Sequence, residues 1–300
     1  MSLMLLDSGS LWYRAYYGMP DTLVAPDGTP VNAIRGYLDM TARLISMYRP
    51  NRLVACLDGD WRPSWRVELY PDYKANRLEE DGEGEEEPDL LTPQIPILLD
   101  ILDAFGFPVV GADDYEADDV IATYAATESG PIRIVTGDRD LFQLVKPEPD
   151  VQVIYLAKGI SNHDLVNQEW ISKKYEIPGN RYGLFATFRG DASDGLPGVK
   201  GIGEKGAALI ARHYATAEEA IAGALAEHEH LSAGLRKKIL DGQDYLSFAP
   251  KLVACATDVP LPKIDLQLPK KPKSMDEIKN LQEQFGLGAS IDRLISALNW

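Results

Sequence analysis

Residues 3–7, LMLLD, form a short apolar run that ends in an aspartate. The same pattern returns at residues 53–58 (LVACLD) and at residues 132–138 (IRIVTGD). Runs of this length, bounded by glycine, proline or polar residues, are typical of buried parallel strands. Because sites in such sheets form beyond the carboxyl ends of the strands, the pattern predicts that Asp7, Asp58 and Asp138 lie at one functional edge.

Helical stretches lie between and after these runs, at residues 31–48, 94–105, 116–127 and 275–298. Strands that alternate with helices predict an α/β protein with a mostly parallel central sheet flanked by helices. We expect this core over residues 1–165, with 72–93 as an inserted loop. No strand signal appears from about 165 to 250, so we expect residues 166–300 to form a helical domain that closes with a helical tail.

The composition fits a globular protein, with 300 residues of which 45% are hydrophobic. No apolar run approaches the ~20 residues of a membrane span, and the start, MSLMLLDSGS, lacks the basic region of a secretory signal. Cys56 and Cys255 lie far apart and form no disulfide framework, so a reducing cytoplasm is the expected compartment.

The net charge of −16 argues at first against a nucleic-acid partner, because phosphate binding needs basic surface. However, eight acids lie in the tract EEDGEGEEEPD at residues 79–89, and nine more belong to the group described next. These two sets leave 29 of the 46 acids against 30 Lys and Arg residues. The rest of the chain is therefore balanced, and a local basic face is compatible with the composition.

The strongest chemical signal is a group of carboxylates at predicted strand ends, at a helix start and in loops. Its members are Asp7, Asp58, Glu116, Asp118, Asp119, Asp138, Asp140, Asp191 and Asp194. Acids crowded on one rim repel each other, and bound cations relieve that repulsion. Oxygen ligands without a Cys or His cluster select Mg²⁺ or Mn²⁺, and two such ions ~4 Å apart are suited to phosphodiester hydrolysis.

A purely structural reading competes for each of these acids. A single Asp at a strand end or in a loop is more often a cap or a solvated residue. For Glu116, Asp118 and Asp119 the structural reading is capping, because acids in a first helical turn interact favourably with the helix dipole. Capping accounts for one or two of the three, and we place the preceding Asp113 and Asp114 at the surface.

A Gly-rich segment, GVKGIGEKGA, occupies residues 198–207. Its glycines permit a tight turn between two helices and expose backbone N–H groups at a helix start, where a phosphate can dock. Lys200 and Lys205 add charge, and such a turn grips a sugar-phosphate backbone without reading its sequence. We expect Gly201 and Gly203 to contact DNA together with these lysines.

The segment PSWRVELYPDYKANR at residues 63–77 mixes basic and aromatic side chains. Arg66 and Tyr73 are candidates for a surface that grips phosphate and stacks on bases. The competing interpretation is an ordinary solvated helix. The four histidines show no ligand spacing, and no phosphate-binding or dinucleotide-binding fingerprint appears, so a nucleotide cofactor is not expected.

Together these segments resemble the flap endonuclease and 5′-3′ exonuclease family, and most closely the 5′ nuclease domain of bacterial DNA polymerase I. The resemblance covers about residues 3–250. It rests on LLDSGSLWYRAYY, CLDGDWRPSWRVELYPDYKANR, DYEADDVIATYA, TGDRDLFQLV and GDASDGLPGVKGIGEKGA, in the family's order. Beyond this resemblance we see no room for a polymerase domain, so we expect a free-standing enzyme.

The resemblance implies a resolvase-like sheet domain followed by a helix–three-turn–helix at about residues 180–215. It implies a structure-specific 5′ nuclease that acts on DNA with a 5′ flap, a nick or a 5′ end. We further expect a cytoplasmic, nucleoid-associated monomer.

The family pattern also suggests roles for individual residues. The first ion would take Asp7, Asp58 and Asp118, Asp138 would bridge, and the second ion would take Asp140, Asp191 and Asp194. Glu116 and Asp119 would act through water or a further ion. Lys74 and Arg77 match the basic pair that steadies the scissile phosphate. Ser193, Val199 and Ile202 are candidates for a K⁺ site at the Gly-rich turn, and Arg35 and Tyr37 for contacts with the DNA junction.

One departure concerns the arch that threads the 5′ strand in relatives, where this chain has the acidic tract 79–89. An acidic tract repels a phosphate backbone, which puts the threading step in doubt but not the metal chemistry. Two other functions compete with the nuclease. One is a non-catalytic DNA-structure binder, and the other is an acid-rich α/β phosphatase, which leaves the Gly-rich turn and DYKANR without a role.

Overall fold

The computed structural model of the protein describes residues 2–78 and 90–300. Within these residues six strands form one sheet in the order β3-β2-β1-β4-β5-β6, parallel except for the antiparallel pair β5 and β6. The strands are β1 (Leu3–Asp7), β2 (Arg52–Cys56), β3 (Val109–Val110), β4 (Ile132–Thr136), β5 (Val151–Tyr155) and β6 (Asp164–Val166). The predicted fold class is confirmed, although only β1, β2 and β4 were predicted as strands.

Both faces of the central strand β1 are buried. Leu3 and Leu5 point into one apolar cluster, while Met4 and Leu6 point into the other, on the opposite face of the sheet. A strand covered on both faces has no polar alternation, which explains the continuous apolar run LMLL. Since β1 pairs with β2 on one side and with β4 on the other, the three strand-end aspartates meet at one edge.

Fourteen α-helices surround the sheet or follow it within the described residues. They are α1 (Ser8–Gly18), α2 (Asn32–Tyr48), α3 (Ser64–Leu69), α4 (Gln94–Phe105), α5 (Ala117–Thr127), α6 (Gln168–Tyr175), α7 (Tyr182–Arg189), α8 (Glu204–His213), α9 (Ala217–Leu225), α10 (Ala233–Asp241), α11 (Gln243–Leu246), α12 (Ala249–Val253), α13 (Met275–Gln284) and α14 (Gly288–Leu298). The single helix expected at 275–298 is divided into α13 and α14, because Gly286 between them takes a left-handed φ of 62°. No helix among the described residues is long and apolar enough to cross a membrane.

Helix α2 receives its N-terminal cap from a residue far along the chain. No side chain of its own caps the helix at Val31. Instead the buried Gln94 amide accepts from the N–H groups of Ala33 and Ile34, at 2.8 and 3.3 Å. The same amide donates to the Leu90 carbonyl at 2.7 Å. Gln94 therefore holds the start of α2 next to Leu90, in the segment that follows the acidic tract.

The last two helices pack against the sheet domain, although the sequence grouped them with the helical domain. Helix α14 lies along α2, and α13 lies along α4. Trp300 stacks on Phe105 with 5.5 Å between ring centroids. The division of the chain near residue 165 stays a prediction. Half of the predicted inserted loop 72–93, namely residues 79–89, lies outside the described residues.

Two helices joined by Gly-rich turns, α7 and α8, pack against each other at the predicted position. The connection depends on the close approach of Gly190 and Gly198, whose φ values are 80° and 66°. A Cβ on Gly190 would lie 2.5 Å from the Gly198 nitrogen, and one on Gly198 would lie 2.5 Å from the Arg189 carbonyl oxygen. Only glycine fits at both positions.

Candidate active site

The carboxyl edge of the sheet opens into a cavity of about 970 Å³. Eight of the nine predicted acids line it, namely Asp7, Asp58, Glu116, Asp118, Asp138, Asp140, Asp191 and Asp194. We call these eight residues the acid rim. Lys74 and Arg77 line the same cavity, as predicted for the basic pair. The fold therefore gathers acids from segments up to 187 residues apart in sequence.

Asp7 and Asp58 are held at the ends of β1 and β2 by contacts with neighbouring elements. Asp7 caps α1 by accepting from the Ser10 N–H at 3.2 Å, and its other oxygen accepts from the Thr136 hydroxyl at 2.6 Å. Asp58 accepts from the Ala117 N–H at the start of α5. A Cβ on Gly9 would lie 3.3 Å from an Asp58 oxygen and 3.9 Å from an Asp7 oxygen. Both carboxylates thus face one small gap, which glycine keeps open.

The rim is electrostatically strained when it holds no cation. Burial raises the pKa of Asp7 to about 7, and the carboxylates of Asp58 and Asp138 add to the shift. Desolvation, followed by the charges of Asp7 and Asp138, raises the pKa of Asp118 well above its usual value. Like charges and burial both disfavour the ionised form, and a divalent cation would reverse that preference.

Glu116 is surrounded by three donors from the segment that precedes the acidic tract. Lys74 donates to Glu116 Oε2, and the Tyr73 hydroxyl donates to Oε1 at 2.7 Å. Arg66 donates to the same Oε1 at 3.1 Å. Lys74 also has a left-handed φ of 50°, a conformation that costs free energy in a non-glycine residue and recurs at functional sites.

Two further acids of the rim, Asp191 and Asp194, lie in the turns after α7. Arg77 donates to Asp194 Oδ1 at 2.7 Å, and the Lys74 N–H donates to the Asp194 carbonyl at 3.0 Å. Desolvation raises the pKa of Asp194 to about 6, although Lys74 and Arg77 oppose that shift. The basic pair and Asp194 therefore form one connected group in the structure.

Asp119 does not belong to the acid rim, which corrects the prediction that it acts on metal. Its side chain is fully buried, and Arg66 donates to its two oxygens at 2.7 and 2.8 Å. It also accepts from the Ala256 N–H and forms a capping box with Glu116 at the start of α5. Asp119 therefore caps α5 and pairs with Arg66, in agreement with the alternative interpretation that the acids of this segment are helix caps.

Three of the predicted DNA contacts, Arg66, Tyr37 and Tyr73, have buried side chains, although Arg66 and Tyr73 also line the cavity. Arg66 is buried against Asp119 and Glu116. Tyr37 is fully buried and shares a hydrogen bond of 3.0 Å with the Ser8 hydroxyl. Tyr73 is buried, and its hydroxyl is occupied by Glu116. Arg35 is half-buried, and its guanidinium donates to the Gly286 carbonyl at 2.6 Å.

The Gly-rich turn exposes Lys200, Gly201, Gly203 and Lys205 at the surface. Gly201 has a φ of 80°, and its carbonyl accepts from Lys238 of α10 at 2.7 Å. Sequence reasoning missed Lys238, although the basic run LRKKIL around it is a visible signal. This lysine extends the basic surface of the turn.

The three K⁺ candidates are not equivalent in the structure. The Ser193 carbonyl accepts from Arg77 Nε at 3.1 Å and from Asn76 Nδ2 at 3.4 Å. These two donors occupy both lone pairs of the Ser193 carbonyl oxygen, and the assignment of Ser193 to a K⁺ site stays a prediction. Val199 and Ile202 lie together at the turn, where the Ile202 N–H donates to the Val199 carbonyl at 2.9 Å.

The residues of the cavity wall that were not predicted include Arg139, Arg189 and Cys255. Arg139 lies between two predicted acids and donates to the Tyr155 hydroxyl at 3.1 Å. Arg189 directly precedes the GDASD segment and pairs with Asp191 at 3.4 Å. Both arginines could have been predicted from the sequence, because each lies next to a pair of predicted acids.

The donor set of the rim fits hard divalent cations, because it consists of carboxylate oxygens. Among residues 2–78 and 90–300, no group of three His, Cys, Asp or Glu side chains is already arranged to hold a metal ion. The raised pKa of Asp7 and the gap beside Gly9 are the observations that fit a divalent cation at this edge of the sheet.

Two family models match consecutive parts of the chain. They describe the 5′-3′ exonuclease N-terminal resolvase-like domain, over residues 2–176, and the 5′-3′ exonuclease C-terminal SAM fold, over residues 177–276. The chain is 48% identical to a 5′-3′ exonuclease of Streptomyces coelicolor, over 98% of this chain and 99% of that protein. It is 34% identical to DNA polymerase I of Mycobacterium bovis, over 99% of this chain and 32% of that protein.

The fold is also similar to that of solved proteins. The bacteriophage T5 D15 flap endonuclease, in a pseudo-enzyme-product complex with DNA and metal ions, superposes with a TM-score of 0.65. The sequences are 16% identical, and the match covers 100% of both chains.

Proposed function

The chain belongs to the 5′-3′ exonuclease family, and on that premise we propose that it is a metal-dependent, structure-specific 5′ nuclease whose acid rim hydrolyses DNA near a 5′ flap, a nick or a 5′ end. The observation that carries this proposal is the convergence of eight acids and the pair Lys74 and Arg77 on one cavity at the carboxyl edge of the sheet. The expected ions are Mg²⁺ or Mn²⁺, which supply charge stabilisation and an activated water when bound.

The residues of the first half of the rim would hold one ion. These are Asp7, Asp58 and Asp118, with Asp138 between the two halves. This assignment is supported by the positions of the four acids, which lie at the ends of β1, β2 and β4 and at the start of α5. The second half comprises Asp140, Asp191 and Asp194. Glu116 accepts from Lys74 and Tyr73, so its proposed role is to orient Lys74 toward the cavity.

Lys74 and Arg77 would bind the scissile phosphate. Both side chains are now paired with acids of the rim, through Glu116 and Asp194. A phosphate that enters the cavity offers charge-assisted hydrogen bonds, which are favourable for a guanidinium in particular. Binding of the substrate would therefore exchange carboxylate partners for phosphate and leave those carboxylates to face cations.

The Gly-rich turn would hold the duplex through its backbone. Lys200, Lys205 and the exposed glycines Gly201 and Gly203 present positive charge and open backbone at the start of α8, an arrangement suited to phosphate contacts that carry no sequence information. A K⁺ ion at this turn would take carbonyls near Val199 and Ile202. Arg35 is retained as a junction contact, because part of its side chain is exposed beside α14.

The remaining expectations concern the setting of the enzyme. We propose that it acts as a monomer in the cytoplasm, associated with the nucleoid, and without a nucleotide cofactor. The alternative of a non-catalytic DNA-structure binder would require loss of the acids or of the basic pair, and all of them line the cavity. The phosphatase alternative conflicts with the family to which the chain belongs.

Product mapping tests the proposal directly. The protein is incubated with 5′-labelled duplexes that carry a nick or a single-stranded 5′ flap, in Mg²⁺ or in Mn²⁺. We expect cleavage near the junction in either ion and none in EDTA. Junction binding without cleavage in both ions would support the binder, and phosphate release from small monoesters without DNA cleavage would support the phosphatase.

A further inference from the structure

Positive charge is distributed unevenly around the acid rim. In the first half, Asp7 accepts from neutral groups, the Thr136 hydroxyl and the Ser10 N–H. In the second half, Asp191 is paired with Arg189 and Asp194 with Arg77, at 3.4 and 2.7 Å. The second half therefore already faces arginine before any metal or DNA is bound.

Arg189 is held in place by its own surroundings. It is the last residue of α7, its Nε donates to the Gly190 carbonyl at 3.1 Å, and its guanidinium lies 5.2 Å from the centre of the Phe185 ring. These contacts direct Nη2 toward Asp191 Oδ2 in the cavity. The guanidinium is thus fixed at the wall of the cavity rather than extended into solvent.

The partner carboxylate is also oriented. Asp191 Oδ1 accepts from the N–H and from the hydroxyl of Ser193. This leaves Oδ2 to face Arg189. Arg189 therefore supplies positive charge directly to Asp191 Oδ2.

We propose that Arg189 is a resident counter-ion that weakens divalent-cation binding at Asp191 until DNA phosphate is present. The inference rests on the proposed function, because it assumes that the acid rim holds the ions. A guanidinium and a divalent cation compete for the same carboxylate oxygen and also repel each other. Among the described residues the side chain of Asp7 accepts from neutral donors, the Ser10 N–H and the Thr136 hydroxyl, so we expect the ion beside Asp7 to bind first.

The geometry of the pair suits such an exchange. Optimal charge-assisted hydrogen bonds span about 2.7–2.9 Å, and the Arg189–Asp191 pair, at 3.4 Å, is longer. Phosphate oxygens are strong partners for a guanidinium. DNA in the cavity would give Arg189 a new anion and release Asp191 Oδ2. Loading of the second ion is thereby coupled to the presence of substrate.

The test measures Mn²⁺ binding to the full chain without DNA. Binding is followed by calorimetry and by the decrease of the electron paramagnetic resonance signal of free Mn²⁺. Wild-type protein should bind one ion at least tenfold more tightly than the second. Arg189→Met should tighten the weaker site by at least tenfold, and Arg189→Gln should do the same if the Met variant fails to fold. Arg189→Lys, which keeps the charge, should stay close to wild type.

A matched control is Arg212→Met, because Arg212 also pairs with an acid at 3.4 Å but lies exposed and away from the cavity. It should leave both sites unchanged. Binding curves of Arg189→Met and Arg189→Gln that superpose on the wild-type curve would overturn the inference while leaving the proposed function intact. A wild-type protein that binds no Mn²⁺, or whose binding is unaffected by Asp138→Asn, would overturn both.

Discussion

Arg77 and Asp194 lie 2.7 Å apart although 117 residues separate them in sequence. The contact joins the segment before the acidic tract to the turns after α7. It is reinforced by an apolar cluster of Tyr73, Leu196 and Leu252. The basic pair is thus positioned by the helical domain as well as by the sheet, and substitutions at this junction should affect cleavage.

Gly195 lies at this junction, where there is no room for a side chain. Its φ is 71°, and a Cβ would lie 2.6 Å from the Asp72 carbonyl oxygen. Gly195→Ala should lower the free energy of unfolding by about 1–3 kcal/mol, because it adds a strained φ and a steric clash. It should also lower kcat, by displacing Lys74 and Arg77. Thermal unfolding and flap cleavage measure the two effects.

The matched control is Gly234→Ala in α10, where a Cβ would meet nothing within 4 Å. We expect its unfolding free energy to stay within about 0.5 kcal/mol of wild type. Equal stability of the Gly195→Ala protein and wild type would show that the close approach to Asp72 is not rigid.

Asp118 and Asp119 are adjacent but should respond oppositely to substitution. Asp119→Ala leaves Arg66 buried without its main partner, which should cost about 3–5 kcal/mol of stability, with Mn²⁺ affinity retained in the folded fraction. Asp118→Ala removes a carboxylate that repels Asp7 and Asp138. It should stabilise the metal-free protein and weaken Mn²⁺ binding. Denaturant unfolding and calorimetry separate the two, and the reverse pattern would refute the assignment of Asp119 to the fold.

Stability of the metal-free protein should depend on pH through the rim. A carboxyl whose pKa is raised by folding favours the folded state while it is protonated, and that contribution is lost as pH rises through the folded pKa. With Asp194 at about 6 and Asp7 at about 7, this contribution should fall between about pH 4 and pH 7. Mg²⁺ should restore stability more at pH 8 than at pH 5.

The melting temperature, measured across this pH range with EDTA or Mg²⁺, tests the expectation. Because other groups also titrate, the informative quantity is the difference between wild type and Asp7→Asn. The variant should lose less stability on raising the pH and gain less from Mg²⁺. Identical pH profiles for the two proteins would contradict the proposed strain at Asp7.

The Gly-rich turn should contribute to DNA affinity through charge. Lys200→Ala should weaken binding of a nicked duplex and reduce the slope of log K against log salt by about 1, because one phosphate contact is lost. Lys279→Ala, which removes an exposed lysine on α13, should leave the slope unchanged. Fluorescence anisotropy in Ca²⁺ at several salt concentrations measures it. Equal slopes for wild type and Lys200→Ala would remove this turn from the DNA interface.

Sequence predicted the parts of the fold whose signal is local. The apolar runs of β1, β2 and β4 end in acids and alternate with regular helices. This pattern alone predicted three parallel strands whose acids share one edge of the sheet. The two-residue strand β3 and the short β6 carry too few residues for a pattern to develop. The break at Gly286 was visible as a glycine but depended on a backbone conformation that composition does not reveal.

The site was predictable in its acids but not in their partners. Asp119 could not be separated from Asp118 by spacing, because its partner Arg66 lies 53 residues earlier in the chain. Tyr37 is different, since Ile34, Tyr37 and Leu38 share one face at helical spacing and all are buried. That periodicity was available in the sequence and would have placed Tyr37 in the core.

The central claim is that the acid rim cuts DNA, and Asp138 tests it most directly. It is exposed at the end of β4, and its Oδ1 accepts from the Asp140 N–H at 2.9 Å, a contact that asparagine can keep. The measurement is the rate of 5′-flap cleavage in Mg²⁺ by wild type and by Asp138→Asn, with melting temperatures recorded for both. The account predicts a loss of about 10²-fold or more in kcat with an unchanged fold. Full activity of a folded Asp138→Asn protein would contradict it.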